Sequence, residues 1–263
     1  MRILEYEKNK IFVDENQRLL KFKNFGDEKI VNLFTLRPYN FNKRLISLDK
    51  VDEQYKKIRE IIGCDIRFKN PIQTHTNIVK ILDEENFNDD FMDVDGLITK
   101  LKGVGLVTSS ADCQSVIFYD KKNEVIANVH SGWKGTLNKI IKNTIEIMIN
   151  EFGTKTSDLE IAIFPSILKN SFEVDEDVKE MFLDNFENID ELIEFGDIKE
   201  GKKKYFIDTI GINVKILKEL GVKEENIHLS EIDSLKNKDI IHSHRGDGLN
   251  SGRNIAMIAM KYW

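Results

Sequence analysis

Residues 103–153 read GVGLVTSSADCQSVIFYDKKNEVIANVHSGWKGTLNKIIKNTIEIMINEFG. Three strand-like runs, near residues 105–108, 116–119 and 125–129, are rich in Val, Ile and aromatic residues and are separated by short polar turns. Residues 136–152 then carry apolar side chains at helical spacing and stop at Gly153, a residue suited to the left-handed helix C-cap. The segment therefore predicts strands that deliver the chain directly into a helix.

On the N-terminal side, residues 3–34 alternate apolar and charged residues in short runs (IFVDE, LLKFKNF, KIVNLFTL), a hairpin pattern. Residues 51–62 (VDEQYKKIREII) have helical spacing. IRFKNPIQTHTNIVKIL predicts two strands joined through residues 73–77, and the acidic stretch 83–95 predicts an exposed loop. On the C-terminal side, LEIAIFPSI reads as a buried strand. DEDVKEMFLDNF reads as an amphipathic helix with Asp175 near its N-cap. A Lys-rich turn at residues 199–204 separates two strands, residues 208–220 form a helix ending at Gly221, and a short helix is expected from about Arg253. Hairpins at the start and interleaved elements afterwards predict an α+β fold with mixed sheets, in one domain spanning residues 1–263.

The chain has 263 residues and a net charge of −6, so a basic face for nucleic acid is not expected. Charges every few residues in the first twelve positions argue against a secretory signal, and no apolar run reaches the roughly 18 residues of a membrane span. Two cysteines, Cys64 and Cys113, give no disulfide framework, which predicts a cytoplasmic protein without a membrane partner. The sequence does not report an oligomeric state.

Three histidine or cysteine positions stand out by setting. His75 lies between two strand-like runs, Cys113 follows an apolar strand, and His130 ends one. A thiolate with two imidazoles suits Zn²⁺ with a fourth position left open, the arrangement of catalytic rather than structural sites. The spacing is not that of a zinc ribbon, and two other readings stand beside it. One is a Cys113–His130 nucleophile–base pair without metal; the other is hydrogen-bonded histidines and a buried filler cysteine. Cys64 takes the filler reading. HSGWKG (residues 130–135) precedes a helix and carries Lys134, so it could bind an anion or serve only as a turn. The basic, Gly-rich HSHRGDGLNSGR, with His242, His244, Arg245 and Arg253, reads first as a solvated turn. Gly103-Val104-Gly105 lacks the third glycine of a dinucleotide loop. Asp93-Val94-Asp95-Gly96 lacks the oxygen ligands of a calcium loop. Residues 202–204 read as a solvated hairpin.

Several segments, in order, resemble the laccase-domain family of YfiH/YlmD type. They are Gln73-Thr74-His75, Asp95 to Thr99 (DGLIT), Ala111-Asp112-Cys113, His130 to Gly135, Pro165-Ser166-Ile167, Phe172-Glu173-Val174, Asp208 with Asn213, and Ser243 through Arg253. The resemblance covers roughly residues 30–263. It implies β-sheets packed between helical layers, an α/β/β/α arrangement shared with certain cysteine-dependent toxin deamidases. It implies that His75, Cys113 and His130 hold zinc, and that phosphate and a purine nucleoside are the small-molecule partners. The family's activity centres on phosphorolysis of adenosine, inosine and S-methyl-5′-thioadenosine, with adenosine deamination also ascribed to it. Within that reading Cys113, His130 and Asp112 carry catalysis, Asp112 by orienting a ligand histidine or carrying a proton, and Gln73, Lys134, Arg245 and Arg253 bind substrate.

Alternatives are a peptidoglycan-editing hydrolase with Cys113 as nucleophile, a copper-dependent polyphenol oxidase, and a structural zinc or nucleotide-sensing module. Copper is disfavoured because no Met adjoins the ligands and five histidines are too few for a multicopper centre. The sequence departs from the family pattern at Phe164, Asn170-Ser171, Phe172, His228 and His244-Arg245-Gly246, and lacks the Gly-Gly turn expected after Thr35. The changes at His244 and Gly246 alter the expected substrate pocket.

Overall fold

The computed structural model describes residues 5–6, 9–14 and 16–262. The first strands are β1 (Glu5–Tyr6), β2 (Asn9–Asp14), β3 (Leu19–Phe22), β4 (Ile30–Thr35) and β5 (Arg67–Lys69), with helix α1 (Leu48–Ile62) before β5. Then come β6 (Val79–Leu82), β7 (Gly96–Thr99), β8 (Val104–Ser110), β9 (Gln114–Asp120) and β10 (Val125–Ser131), followed by α2 (Trp133–Leu137) and α3 (Ile140–Phe152). The rest comprises β11 (Leu159–Ile163), β12 (Glu173–Asp175), α4 (Glu176–Asn185), β13 (Ile193–Lys199), β14 (Lys202–Ile207), α5 (Thr209–Glu219), β15 (Ile227–Leu229), α6 (His244–Asp247) and β16 (Asn254–Met260).

Two sheets carry the fold, in the spatial orders β1-β2-β3-β4-β16-β8-β5 and β15-β11-β9-β10-β7-β6. A small third sheet, β12-β14-β13, flanks them. Most pairings are antiparallel; β5 with β8, β6 with β7, and β11 with β15 are parallel. Alternation of side chains along each strand sends every second residue to the opposite face. Leu106, Ala256 and Ile258 of one sheet meet Ile117, Tyr119 and Ile126 of the other in a core between the sheets. Val107, Ile255 and Met257 face outwards onto Val51 and Ile58 of α1. Val116, Phe118 and Val129 face the other way onto Ile141 and Ile145 of α3 and Ile212 of α5. The mixed α+β layers are thus helix, sheet, sheet, helices.

Several sequence expectations needed correction. The short helix expected from about Arg253 is β16, a central strand whose seven residues (NIAMIAM) are all buried. A strand covered on both faces loses its alternation, and Ala and Met favour helix, so the pattern misleads. The helix expected over residues 136–152 is two helices, broken where Lys139 takes a left-handed φ of 58°. The N-terminal hairpins and the Lys-rich hairpin are present, and α1 starts at Leu48. The strands on either side of residues 73–77 do not pair. β5 lies in the seven-stranded sheet and β6 in the six-stranded one, so the linker crosses between sheets. Ala111, Asp112 and Cys113 make the same kind of crossing from β8 to β9.

Candidate metal centre

Both crossings reach the end of β10. There the metal-ligating atoms of His75, Cys113 and His130 all lie within 4.8 Å of one another. Cys113 Sγ is 3.8 Å from His75 Nε2, and the His75 and His130 rings meet edge to face. His130 is buried and fixed by the ladder opposite Ser115, whereas His75 is exposed on its linker.

Asp95, directly before β7, organises the cluster. Its Oδ1 accepts from His130 Nδ1 at 2.8 Å and from the His75 backbone N–H at 3.1 Å. Its Oδ2 accepts from the Thr76 N–H and hydroxyl at 2.7 and 2.8 Å. These bonds hold the linker although His75 sits at a φ of 66°, a conformation uncommon outside glycine. The linker is tied again at the helix break: Asn77 Nδ2 donates to the Asn138 carbonyl, and Asn143 Nδ2 donates to the Asn77 carbonyl. Asp95 is fully buried, although it ends the stretch expected to be an exposed loop.

Burial would raise the Asp95 carboxyl, but the bonds from His130 and Thr76 outweigh it and hold the group at about 2. Burial would likewise raise the Cys113 thiol, yet the adjoining imidazoles of His130 and His75 bring it down to about 6. For His130 burial acts downwards and is overcome by the Cys113 thiolate and Asp95, which push the imidazole up to about 9. Without metal, both shifts favour a thiolate beside an imidazolium at pH values between the two.

The donor set fits a metal ion. His130 gives its Nδ1 proton to Asp95, which leaves Nε2 as the coordinating atom, the usual arrangement of a carboxylate behind a ligand histidine. Gly132, the N-cap of α2, makes room for the ligands: a Cβ there would lie 2.7 Å from His75 Cδ2 and 3.1 Å from Cys113 Sγ. His75 and Cys113 line a cavity of about 250 Å³ whose wall includes Gln114, Trp133, Phe172, Thr209, His244 and Arg245. A larger cavity of about 510 Å³, along residues 21–32, includes none of the cluster's side chains.

The structure distributes the remaining sequence candidates unevenly. The carboxylate behind His130 is Asp95, not Asp112. Asp112, at a φ of 86°, accepts instead from Ser234 Oγ and the Arg245 backbone N–H, both at 2.6 Å. Arg245 borders the cavity; its guanidinium donates to the carbonyls of Ser171 and Glu173 and lies over the Phe172 ring. Gln73 is turned away, exchanging hydrogen bonds with the backbone of Ser109. Lys134 is exposed beside the Trp133 ring, and Arg253 donates to the carbonyls of Ser251 and Gly252; neither lines the cavity. Gln114 and Thr209 carry no charge and escaped the sequence reading, whereas Gly132 and Trp133 entered it only as part of HSGWKG.

The layered arrangement of mixed sheets and helices is the YfiH-like α+β fold. The chain matches YfiH of Bacillus licheniformis with a TM-score of 0.85 at 23% identity, over 97% of this chain and 100% of the other. YlmD of Geobacillus stearothermophilus matches with a TM-score of 0.82 at 22% identity, over 95% and 99%. The chain belongs to the family described as multi-copper polyphenol oxidoreductase laccase, whose model matches residues 47–261. Among curated relatives, a purine nucleoside phosphorylase of Bacteroides thetaiotaomicron is 36% identical over 195 residues, 72% of this chain and 71% of the relative. One of Staphylococcus epidermidis is 33% identical over 198 residues, 73% and 72%. A relative from an unknown prokaryotic organism, named adenosine deaminase, is 30% identical over 198 residues, 73% and 74%.

Proposed function

We propose that this protein is a zinc-dependent purine nucleoside phosphorylase of the cytoplasm that acts on adenosine, inosine and S-methyl-5′-thioadenosine. The observation that carries the reading is a three-donor Cys/His/His cluster opening into a cavity with aromatic walls and a cation, Arg245. Two curated relatives are named purine nucleoside phosphorylase, which supports a purine nucleoside and phosphate as the substrate class.

A zinc ion held by His75, Cys113 and His130 would supply Lewis-acid polarisation of a ribose oxygen or a water. The chain's own groups do the rest. Asp95 keeps His130 in one tautomer and His75 in place. The Arg245 guanidinium donates only to backbone carbonyls among the described residues, so its charge is available to phosphate. Trp133 and Phe172 offer rings for the base. A phosphate oxygen bonds to the anomeric carbon as the bond to the purine nitrogen breaks; the purine leaves with the electron pair and takes up a proton. Positioning and charge stabilisation supply most of the acceleration. Asp112 contributes by holding the Arg245 backbone, while Lys134 and Arg253 act from outside the cavity wall.

Chromatography of adenosine incubated with the protein, with and without phosphate, tests this reading. Adenine formed only with phosphate supports it; adenosine surviving both incubations removes it. Inosine as product would reveal the deaminase suggested by one relative's name. The lowered Cys113 thiol also suits a cysteine nucleophile, and activity that rises on chelation would favour that hydrolase. Only one three-donor cluster occurs among the described residues, which supports a single metal rather than several coppers.

A further inference from the structure

Thr209 opens α5 and lines the same cavity while only 6% exposed. Its oxygen accepts from Gln114 Nε2 at 3.0 Å, and Gln114 Oε1 accepts from Asn213 Nδ2 at 2.9 Å. Asn213 Nδ2 also donates to Thr136 Oγ1 at 3.1 Å. Asn213 and Gln114 are at most 2% exposed, so water does not relieve an unpaired group in this network.

The direction of the chain of bonds follows from counting donors. As drawn, Asn213 spends both N–H bonds and leaves one acceptor, Oδ1, without a partner. With both amides turned over, an NH₂ group would occupy that partnerless place and leave two buried donors unmet, the worse arrangement. Hydrogen bonds therefore run from Asn213 through Gln114 to Thr209. The Thr209 oxygen is already an acceptor, and its proton has no acceptor among the described residues.

We infer that Thr209 is a ligand-recognition residue of this cavity, donating its hydroxyl proton to an acceptor atom of the nucleoside, a ring nitrogen or a ribose oxygen. The inference rests on the nucleoside reading above. It adds a selectivity: analogues lacking that one acceptor bind more weakly, because the site then keeps an unmet donor.

The test is calorimetric titration of the purified protein with adenosine, together with Thr209→Val, which keeps the shape, and Thr209→Ser, which keeps the hydroxyl. Thr209→Val is expected to bind about five- to tenfold more weakly, with Thr209→Ser within about twofold of wild type. Deaza analogues lacking one ring nitrogen and deoxy analogues lacking one ribose hydroxyl then locate the acceptor: one of them loses affinity for wild type but binds Thr209→Val as well as adenosine does. If Thr209→Val fails to fold, Thr209→Ala takes its place. Unchanged adenosine affinity in the folded variant, with phosphorolysis intact in wild type, overturns the role of Thr209 alone. Wild-type protein that neither binds nor consumes adenosine, inosine or S-methyl-5′-thioadenosine overturns this inference and the phosphorylase reading together.

Discussion

The Asp95 carboxylate receives the ring proton of His130 at 2.8 Å and the backbone N–H of His75 at 3.1 Å, so one buried group fixes two of the three candidate metal ligands. Asp95→Asn leaves one acceptor oxygen, for either the His130 and His75 donors or the Thr76 donors, and loses the negative charge behind His130. Zinc affinity is expected to fall about 10- to 100-fold with the fold retained. Competition against a chromophoric chelator measures this. An unchanged affinity would mean that the His130 tautomer is set by something else.

Gly132 has a φ of −69°, which alanine adopts without strain, so Gly132→Ala acts only through its added methyl group. That methyl group would press on His75 and Cys113. Metal content after dialysis against zinc should drop well below one ion per chain, while Tm moves by no more than about 5 °C. Full zinc occupancy in the variant would place the metal away from the side of the cluster facing Gly132.

The strands of residues 103–130 were legible because each is apolar, short and bounded by turn residues. β16 was not, since burial on both faces removed the alternation that marks a strand. His75, Cys113 and His130 were legible through their positions at strand ends. Asp95 appeared in a family segment, in a rejected calcium-loop motif and within an acidic stretch, and nothing in that stretch distinguishes the one buried carboxylate from its exposed neighbours. Thr209 and Gln114 carry no charge, and their importance depends on hydrogen bonds between residues 95 and 99 positions apart.

In metal-free protein the Cys113 thiol is lowered to about 6 and His130 is raised to about 9. Below the first value the sulfur is protonated; above the second the imidazole is neutral; the ion pair occupies the interval between them. The alkylation rate of Cys113 by iodoacetamide should therefore rise with a midpoint near pH 6. An ordinary cysteine has its midpoint near about 8.5. Cys113→Ala supplies the background, including Cys64. A midpoint in the ordinary range would show that the imidazoles do not adjoin the thiolate.

Chelation should abolish activity and leave the fold. Three apolar cores hold the layers together, one between the sheets and one under each helical face, and none depends on the cluster. A structural zinc module behaves oppositely and unfolds when the metal leaves. Far-ultraviolet circular dichroism before and after chelation should coincide, and zinc should restore turnover. Loss of the spectrum on chelation would establish a structural centre.

Asp112 spans two walls of the cavity, from the crossing that carries Cys113 to the segment that carries Arg245. Its removal should loosen the cation more than the metal. For Asp112→Ala the phosphate KM is expected to rise about tenfold, with kcat changed less than about threefold and zinc affinity unchanged. Asp112→Asn should recover most of the loss, because an amide oxygen still accepts the Arg245 N–H and asparagine tolerates the left-handed backbone at a φ of 86°. Steady-state kinetics at varied phosphate, run beside the chelator competition, separate the two effects. If zinc affinity falls while the phosphate KM stays constant, Asp112 belongs to the metal centre and the phosphate site must be sought away from Arg245.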